Sequence, residues 1–450
     1  MNKDKLSFTL INILRNVVSI YFDTFFTIYF FKLVNYQILP MAKYYLVIYL
    51  TIVFSFWILR NAVKKNFKVS YFRIGLSFTA LYIAAILMLK ERIPNYVYLV
   101  AILKGLGEGF YYYPRNVLNS TKITNAERKR YDGTINAINQ VTSIVMPVVL
   151  GLLIDSYSYI QMGKVVFILI IVCFILSFLV EEGLKETGDE KINVKGFLKK
   201  IKNNKKVKEA LLVQFLRGFT ISSGVLTVVM SLYKINYFQS NSKIGSLDSI
   251  LGILTCIACI VYSMKVKKKV YKTFTILTTV SLSILLVGLA IKPDQNLFII
   301  YLFVYSFGVA IINLLGDNIT VNCSNDESII EKKEEYHLVL ETCLGISRTL
   351  GYVALLVIGL IGNFELLKHI LTFSIIPLVL LCIVVIKNLD KISLPSLPKI
   401  EKNQNNISIT RQKRSSSAWR QLSSQYCSMH ITIIAKENQN TIPGTYSLCL

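Results

Sequence analysis

Long apolar runs, separated by short charged stretches, divide the chain up to residue 387 into twelve segments. The segments lie near residues 7–31, 42–60, 71–89, 95–114, 134–154, 162–181, 209–232, 245–264, 273–291, 296–316, 337–361 and 366–386. Each is close to the roughly 20 residues that an α-helix needs to cross the hydrocarbon core of a bilayer. The pattern predicts an all-α polytopic membrane protein with twelve transmembrane helices.

The charged interruption at residues 182–207 divides these segments into two sets of six. We therefore expect a first six-helix bundle over 1–181, a linker over 182–207 and a second six-helix bundle over 208–387. The remaining residues, 388–450, become polar and lack long apolar runs. Such a composition is typical of a disordered tail.

Composition supports a membrane protein and changes the meaning of the net charge. The chain of 450 residues is 53% hydrophobic and has a mean hydropathy of +0.52. Its formal net charge of +24 would suggest nucleic-acid binding in a soluble protein, but here Lys and Arg lie in short loops between apolar runs. One set of alternate loops holds roughly three times as many of them as the other, which places both termini and the linker in the cytoplasm.

A weak internal repeat relates the two sets of segments. Leu216–Arg217 repeats Leu14–Arg15 at an offset of 202 residues. Asp317–Asn318 corresponds to Arg115–Asn116 at the same offset. The linker and the similar orientation of both sets make these parallel repeats. Duplicated membrane halves of this kind are a common construction among transporters.

Two parallel repeats of six spans, joined by a cytoplasmic linker, resemble the major facilitator superfamily over residues 7–387. The segment Lys104–Gly109 is similar to the family's Arg- and Gly-rich fourth-span motif, with Lys104 where Arg is frequent. Pro147 and Gly151 are similar to the Gly-Pro motif of its antiporters, although Met146 stands where Gly is expected. The resemblance implies that spans one, four, seven and ten line a central cavity.

Ionisable side chains inside the spans are the candidate functional residues, because a charge in hydrocarbon is costly and usually faces a cavity or a partner. In the first span, polar residues recur at steps of three or four and form one stripe along the helix. The stripe consists of Asn12, Asn16, Ser19, Asp23 and Thr27. The candidate substrate or coupling residues are Asp23, Arg15, Lys104, Glu108, Tyr111, Tyr112, Arg217, Glu341 and Arg348.

Asp23 lies near the middle of the membrane by residue count and allows two interpretations. It could bind a proton in one conformation and release it in another. Alternatively, it could form a permanent ion pair with Arg217, Arg348 or Lys104. The same two alternatives apply to Glu108.

The other candidates also have a functional and a structural interpretation. Arg217 and Arg348 could bind an anionic substrate or pair with a neighbouring carboxylate, since Arg stays charged whatever its surroundings. Glu341, one turn inside its span, is expected at a cytoplasmic gate or interface. Tyr111 and Tyr112 could form an aromatic wall for an amphipathic or cationic solute, or belong to the aromatic belt at the membrane interface.

These features favour a secondary transporter of a small organic solute in the cytoplasmic membrane, coupled to an ion gradient, with the proton as the expected ion. Export is favoured over uptake by a symporter, on the antiporter-like segment. A non-transporting membrane receptor or assembly protein on the same scaffold is the alternative of another class. No nucleophile–base arrangement, metal-ligand spacing or phosphate loop is evident, so we expect no enzyme activity, cofactor or metal. The expected partners are the substrate, the coupling ion and membrane lipid, without nucleic acid.

Overall fold

The computed structural model describes residues 3–64, 67–122, 125–182, 192–220, 224–263, 267–324, 329, 332–362 and 364–389. Over these residues the secondary structure is helical and contains no β-strand, which confirms the predicted all-α class. The predicted tail from residue 390 onward lies outside the described residues, as does part of the predicted linker.

Six long helices make up the first half of the chain. Helix α1 runs from Lys3–Ile20 through a π-helical turn at Tyr21–Phe26 into Thr27–Leu33. The others are α2 (Ile38–Lys64), α3 (Lys68–Leu89), α4 (Val97–Lys122), α5 (Asn125–Tyr157) and α6 (Tyr159–Leu176). A 3₁₀ segment, Lys90–Tyr96, joins α3 to α4.

The second half repeats this arrangement after a short linker helix, Val194–Ile201. Helix α7 has two segments, Lys205–Thr220 and Val225–Phe238. It is followed by α8 (Asn241–Ser263), α9 (Lys268–Ile291), α10 (Gln295–Ser324) and α11 (Lys333–Ile361). Helix α12 also has two segments, Leu367–Phe373 and Ile375–Asn388.

Ten stretches of the described residues are long and apolar enough to cross a membrane. One of them, Lys68–Asn119, joins α3 and α4, so that it accounts for two of the twelve predicted spans. Helix α1 is not among the ten because Lys3, Asp4, Lys5 and Arg15 interrupt its first segment. Several helices are longer than predicted. Helix α5 begins at Asn125 instead of near 134, since helical hydrogen bonding can continue beyond the hydrocarbon core.

Two helix pairs join the first six helices to the last six. Helix α5 packs along α8, and α2 packs along α11. Both contacts depend on close backbone approach: a Cβ atom added at Gly245 of α8 would overlap the carbonyl oxygen of Pro147, and one added at Gly345 of α11 would overlap the side chain of Val53. Small residues at such crossings allow helices to pack tightly in lipid. The two pairs frame the space between the halves.

Candidate functional site

A cavity of about 360 Å³ lies between the two halves. Its charged lining residues are Asp23, Lys104, Glu108, Arg115, Glu341 and Arg348. Its aromatic lining residues are Tyr45, Tyr49, Phe56, Tyr112, Tyr113 and Tyr352. These side chains come from α1, α2, α4 and α11, and Thr227, Val228 and Ser231 add a wall from α7. The volume falls in the range of small-molecule pockets.

The first ion pair of the cavity joins α4 to α1. Lys104 donates from Nζ to Asp23 Oδ1 at 3.3 Å. The Lys104 side chain is 8% exposed, whereas the Asp23 side chain is 68% exposed and lines the cavity. Of the three basic residues that the sequence offered as partners for Asp23, the structure brings Lys104 to it.

The π-helical turn at Tyr21–Phe26 contains Asp23. After this turn, the Thr27 hydroxyl donates to the carbonyl oxygens of Phe22 and Asp23, at 3.3 and 3.1 Å, and lies 2.6 Å from the Tyr45 hydroxyl. The predicted stripe from Asn12 to Thr27 assumed an uninterrupted α-helix, whereas the structure has a π-helical segment at Tyr21–Phe26. A π turn inserts extra backbone, changes the facing of later residues and is frequent at functional sites.

A second ion pair joins Glu108 of the cavity wall to Arg15, which is buried behind it. Arg15 donates from Nη2 to Glu108 Oε1 at 2.6 Å and from Nη1 to Ser19 Oγ at 2.9 Å. Its guanidinium carbon also lies 5.3 Å from the ring centroid of Tyr111. The Arg15 side chain is 3% exposed. A buried charge of this kind is tolerated because a short charge-assisted bond compensates its desolvation.

A third ion pair belongs to the second half of the chain. Arg217 of α7 donates from Nη1 to Asp317 Oδ1 of α10 at 2.6 Å and from Nε to Asn313 Oδ1 at 3.0 Å. Arg217 Nη1 also lies 3.3 Å from Gln214 Oε1. None of these four residues lines the cavity. The sequence pattern identified Arg217 as a candidate but did not identify Asp317 or Asn313.

The internal repeat relates the surroundings of Arg15 to those of Arg217. At the offset of 202 residues, Asn12, Arg15, Tyr111 and Arg115 correspond to Gln214, Arg217, Asn313 and Asp317. In the first half, Asn12 Oδ1 accepts from the Tyr111 hydroxyl at 2.9 Å and from Arg115 Nε at 2.7 Å. Both polar clusters therefore use equivalent helix positions, but Arg115 and Asp317 carry opposite charges. The repeat offset was the signal that could have identified Asp317 from sequence.

A tyrosine stack crosses the cavity between α2 and α11. The Tyr352 ring lies 5.2 Å from that of Tyr45 and 5.4 Å from that of Tyr49, with an interplanar angle of 12° in each case. The Arg348 guanidinium carbon lies 5.1 Å from the centroid of the Tyr49 ring. Glu341 lines the cavity two helical turns before Arg348. These three tyrosines line this part of the cavity.

The structure distributes the nine predicted residues over three environments. The cavity wall contains Asp23, Lys104, Glu108, Tyr112, Glu341 and Arg348. Arg15 and Tyr111 are buried behind it, and Arg217 lies in the separate α7–α10 pair. Among the described residues that line the cavity, none comes from α10, which the resemblance had implied as a lining helix. Its polar residues Asn313 and Asp317 are bound by Arg217 instead.

A further polar contact joins the halves away from the cavity. The Asp155 carboxylate at the end of α5 accepts from the backbone N–H of Asn241 at 3.1 Å and of Ser242 at 2.8 Å. It also accepts from Asn241 Nδ2 at 2.7 Å. The carboxylate therefore caps the first turn of α8, where backbone N–H groups lack helical partners.

A sequence model of the Major Facilitator Superfamily matches residues 50–325. The match covers more than half of the chain, and the protein belongs to this superfamily. It is a multi-pass membrane protein, as the apolar helices also indicate.

Two curated bacterial proteins show weak sequence similarity. The uncharacterized protein YqgE of Bacillus subtilis (strain 168) is 23% identical over 251 residues, which cover 56% of this chain and 58% of the relative. An uncharacterized protein in the sodM 3'region of Geobacillus stearothermophilus is 26% identical over 135 residues, covering 30% of this chain and 62% of the relative. The chain thus spans about three fifths of the length of these relatives.

Solved transporters share the fold at low sequence identity. The nucleoside transporter NupG has a TM-score of 0.65 and 13% identity, with 86% of this chain and 99% of that chain covered. A bacterial homologue of the iron transporter ferroportin, in its inward-facing state, has a TM-score of 0.59 and 13% identity, with coverages of 85% and 97%. A D-xylose–proton symporter has a TM-score of 0.59 and 12% identity, with coverages of 87% and 98%. These likenesses establish the fold alone.

Proposed function

We propose that the protein is a secondary transporter that moves a small organic solute by alternating access and couples this movement to protons at Asp23. The observation that carries the proposal is the cavity between the halves, in which the exposed Asp23 carboxylate lies 3.3 Å from the buried Lys104 ammonium. Family membership supports transport as the class of function. No covalent chemistry is part of this mechanism.

The proposed movement is a rocking of α1–α6 against α7–α12 around the cavity. The Asp155 cap on α8 and the Tyr45–Tyr352–Tyr49 stack are contacts between the halves that such a movement would change. Because the loop charges favour cytoplasmic termini, we assign the Asp155 contact to the outer face of the cytoplasmic membrane.

Asp23 is better suited to proton coupling than Glu108. Protonation of Glu108 would leave the buried Arg15 guanidinium without its carboxylate partner, at a cost of about 3–5 kcal/mol. Protonation of Asp23 would instead release Lys104, which is largely buried but, unlike Arg15, lines the cavity, where water or a bound solute can contact it. Solute binding and proton binding would then be coupled through the same pair of charges.

We propose export as the direction of transport. The reason is the antiporter-like segment that contains Pro147 and Gly151. In the structure this segment packs closely against the start of α8, since a Cβ at Gly151 would overlap the backbone of Asn241.

The test is solute exchange and internal pH in proteoliposomes that contain the wild type or Asp23→Asn. The panel contains nucleosides, sugars, amino acids, organic anions and organic cations. We expect the wild type to move protons with one solute, and Asp23→Asn to exchange that solute without a proton signal. Glu91→Gln, which neutralises an exposed carboxylate outside the cavity, is the control and should behave as the wild type.

Two results would contradict parts of the proposal. Proton-coupled transport that survives in Asp23→Asn would exclude Asp23 as the coupling residue. Solute binding without flux of any panel member would exclude transport of these solute classes and favour the receptor alternative.

A further inference from the structure

The charged groups at the first-half wall of the cavity do not balance. The Asp23 carboxylate is paired with Lys104, and the Glu108 carboxylate is paired with Arg15. Glu341 and Arg348 contribute one charge of each sign from α11. Arg115 is therefore the excess charge among the charged residues that line the cavity or pair with them.

Arg115 is held by a neutral group. Its Nε donates to Asn12 Oδ1 at 2.7 Å, and the same oxygen accepts from the Tyr111 hydroxyl. Among the described residues, no carboxylate oxygen forms an ion pair with it. A guanidinium has five N–H donors and stays charged at any physiological pH. The bond to Asn12 uses one donor and fixes the plane of the group, which leaves the terminal nitrogens for a ligand.

In the second half, the equivalent polar cluster contains a carboxylate that pairs with its arginine. The position that corresponds to Arg115 is Asp317, and its carboxylate is bound by Arg217 at 2.6 Å. The second-half cluster thus contains its own anion, whereas the first-half cluster has a second cation at that position. The carboxylate that Arg115 lacks can come from a molecule in the cavity.

The aromatic residues that line the cavity indicate which chemical group the rest of such a molecule would carry. Tyr112 and Tyr113 precede Arg115 on α4, and Phe56 lies next to Tyr113 with ring centroids 5.8 Å apart. Tyr49 and the stacked Tyr352 continue the aromatic surface across the cavity. Flat π surfaces favour planar aromatic ligands in offset or edge-to-face arrangements. An aliphatic ligand of equal volume would gain less from these walls.

We propose that the solute carried by this cavity is an aromatic organic monoanion, with its carboxylate bound by Arg115 and its ring packed against the tyrosines. This inference rests on the proposed transport function and names the substrate class of the same site. A carboxylate can accept two parallel N–H bonds from a guanidinium, which gives this contact both strength and orientation.

Binding of a charge series to the purified protein tests the inference. The probes are indole-3-acetate, indole-3-acetamide and tryptamine, which share one ring system and differ in charge, together with cyclohexylacetate as the non-aromatic anion. Calorimetric titration should give at least about tenfold tighter binding of indole-3-acetate than of indole-3-acetamide, cyclohexylacetate and tryptamine, since charge-assisted bonds are about twice as strong as neutral ones.

Three variants test whether Arg115 causes the preference for indole-3-acetate over indole-3-acetamide. Arg115→Gln should reduce the preference for indole-3-acetate over its amide to less than about twofold, because the charge is removed and hydrogen-bond donors are kept. Arg115→Lys should restore part of the preference, since Lys binds anions as a point charge. Lys292→Gln makes the same change in charge at an exposed position outside the cavity and should leave the preference intact.

The wild-type series is decisive even if Arg115→Gln does not fold. Tighter binding of tryptamine or of the amide, or failure of both anions to bind, would overturn the proposed substrate class. An unchanged preference in folded Arg115→Gln would overturn the role of Arg115. Flux of a neutral or cationic solute in the proteoliposome panel would reject this inference while the proposed transport function stands.

Discussion

At the scale of single residues, the two ion pairs of α1 differ in their exposure to water. In the Arg15–Glu108 pair, both side chains are largely buried, at 3% and 17% exposed. In the Lys104–Asp23 pair, the carboxylate side chain is 68% exposed. Burial makes the loss of a partner expensive, whereas an exposed group can exchange its partner for water or a ligand. The first pair is therefore suited to structure and the second to function.

This difference predicts unequal effects of neutralising the two carboxylates. Glu108→Gln should lower the free energy of unfolding by about 3 kcal/mol, because Arg15 stays buried without a counter-charge. Asp23→Asn should lower it by less, because Asp23 is 68% exposed and Lys104, although largely buried, lines the cavity, where water can replace the lost carboxylate. Reversible denaturation in detergent measures both values. Equal destabilisation by the two substitutions would contradict the assignment of one pair to structure and the other to function.

Residue types could be predicted from the sequence, but their partners could not. Charged residues inside apolar runs are visible one by one, which is why Asp23, Lys104 and Glu108 were identified. Their pairing depends on which helix faces which, and the paired residues stand on different helices far apart in sequence. Asp317 could have been identified from the sequence, because at the repeat offset of 202 residues it is the equivalent of Arg115.

At the scale of the elements, the helical segments followed from hydropathy alone, while the π turn in α1 did not. Hydropathy depends on residue type alone, so it does not reveal a change from α-helical to π-helical hydrogen bonding. The Tyr21–Phe26 turn interrupts the α-helical hydrogen bonding of α1 at Asp23, whereas the predicted stripe was drawn on a regular helix. The α5–α8 contact was likewise invisible beforehand, since it depends on backbone N–H groups of Asn241 and Ser242.

The Asp155 cap gives a prediction about these two helices. Asp155→Ala removes the acceptor for two backbone N–H groups of α8 and for the Asn241 side chain. We expect the ends of α5 and α8 to separate more often. The separated conformation becomes less costly, because the variant has no hydrogen bonds from Asp155 to break. Spin labels at the exposed positions 157 and 243 would report a new, longer distance in pulsed electron–electron double resonance.

The matched control for this experiment is Glu365→Gln, which neutralises an exposed carboxylate of the second half. It should leave the distance distribution between positions 157 and 243 unchanged. An unchanged distribution in Asp155→Ala as well would mean that close packing at Gly245 and Gly151 alone holds the two helices together.

At the scale of the whole molecule, the repeat of six helices accounts for the position of the cavity. Two halves that contact each other mainly through the α5–α8 and α2–α11 pairs leave a space between them. Residues from both halves line this space, with Asp23 and Lys104 on one side and Glu341 and Arg348 on the other. A change in the angle between the halves can therefore expose the same residues to either side of the membrane.

The most direct test of this account is the accessibility of one cavity residue from both sides. Ser231 of α7 lines the cavity, and Ser231→Cys can be studied after replacement of the eight native cysteines. A membrane-impermeant maleimide is applied to right-side-out and to inside-out vesicles. Alternating access predicts labelling in both preparations, with a bound solute changing the two rates in opposite directions. Labelling from one side only, with or without solute, would contradict the central claim.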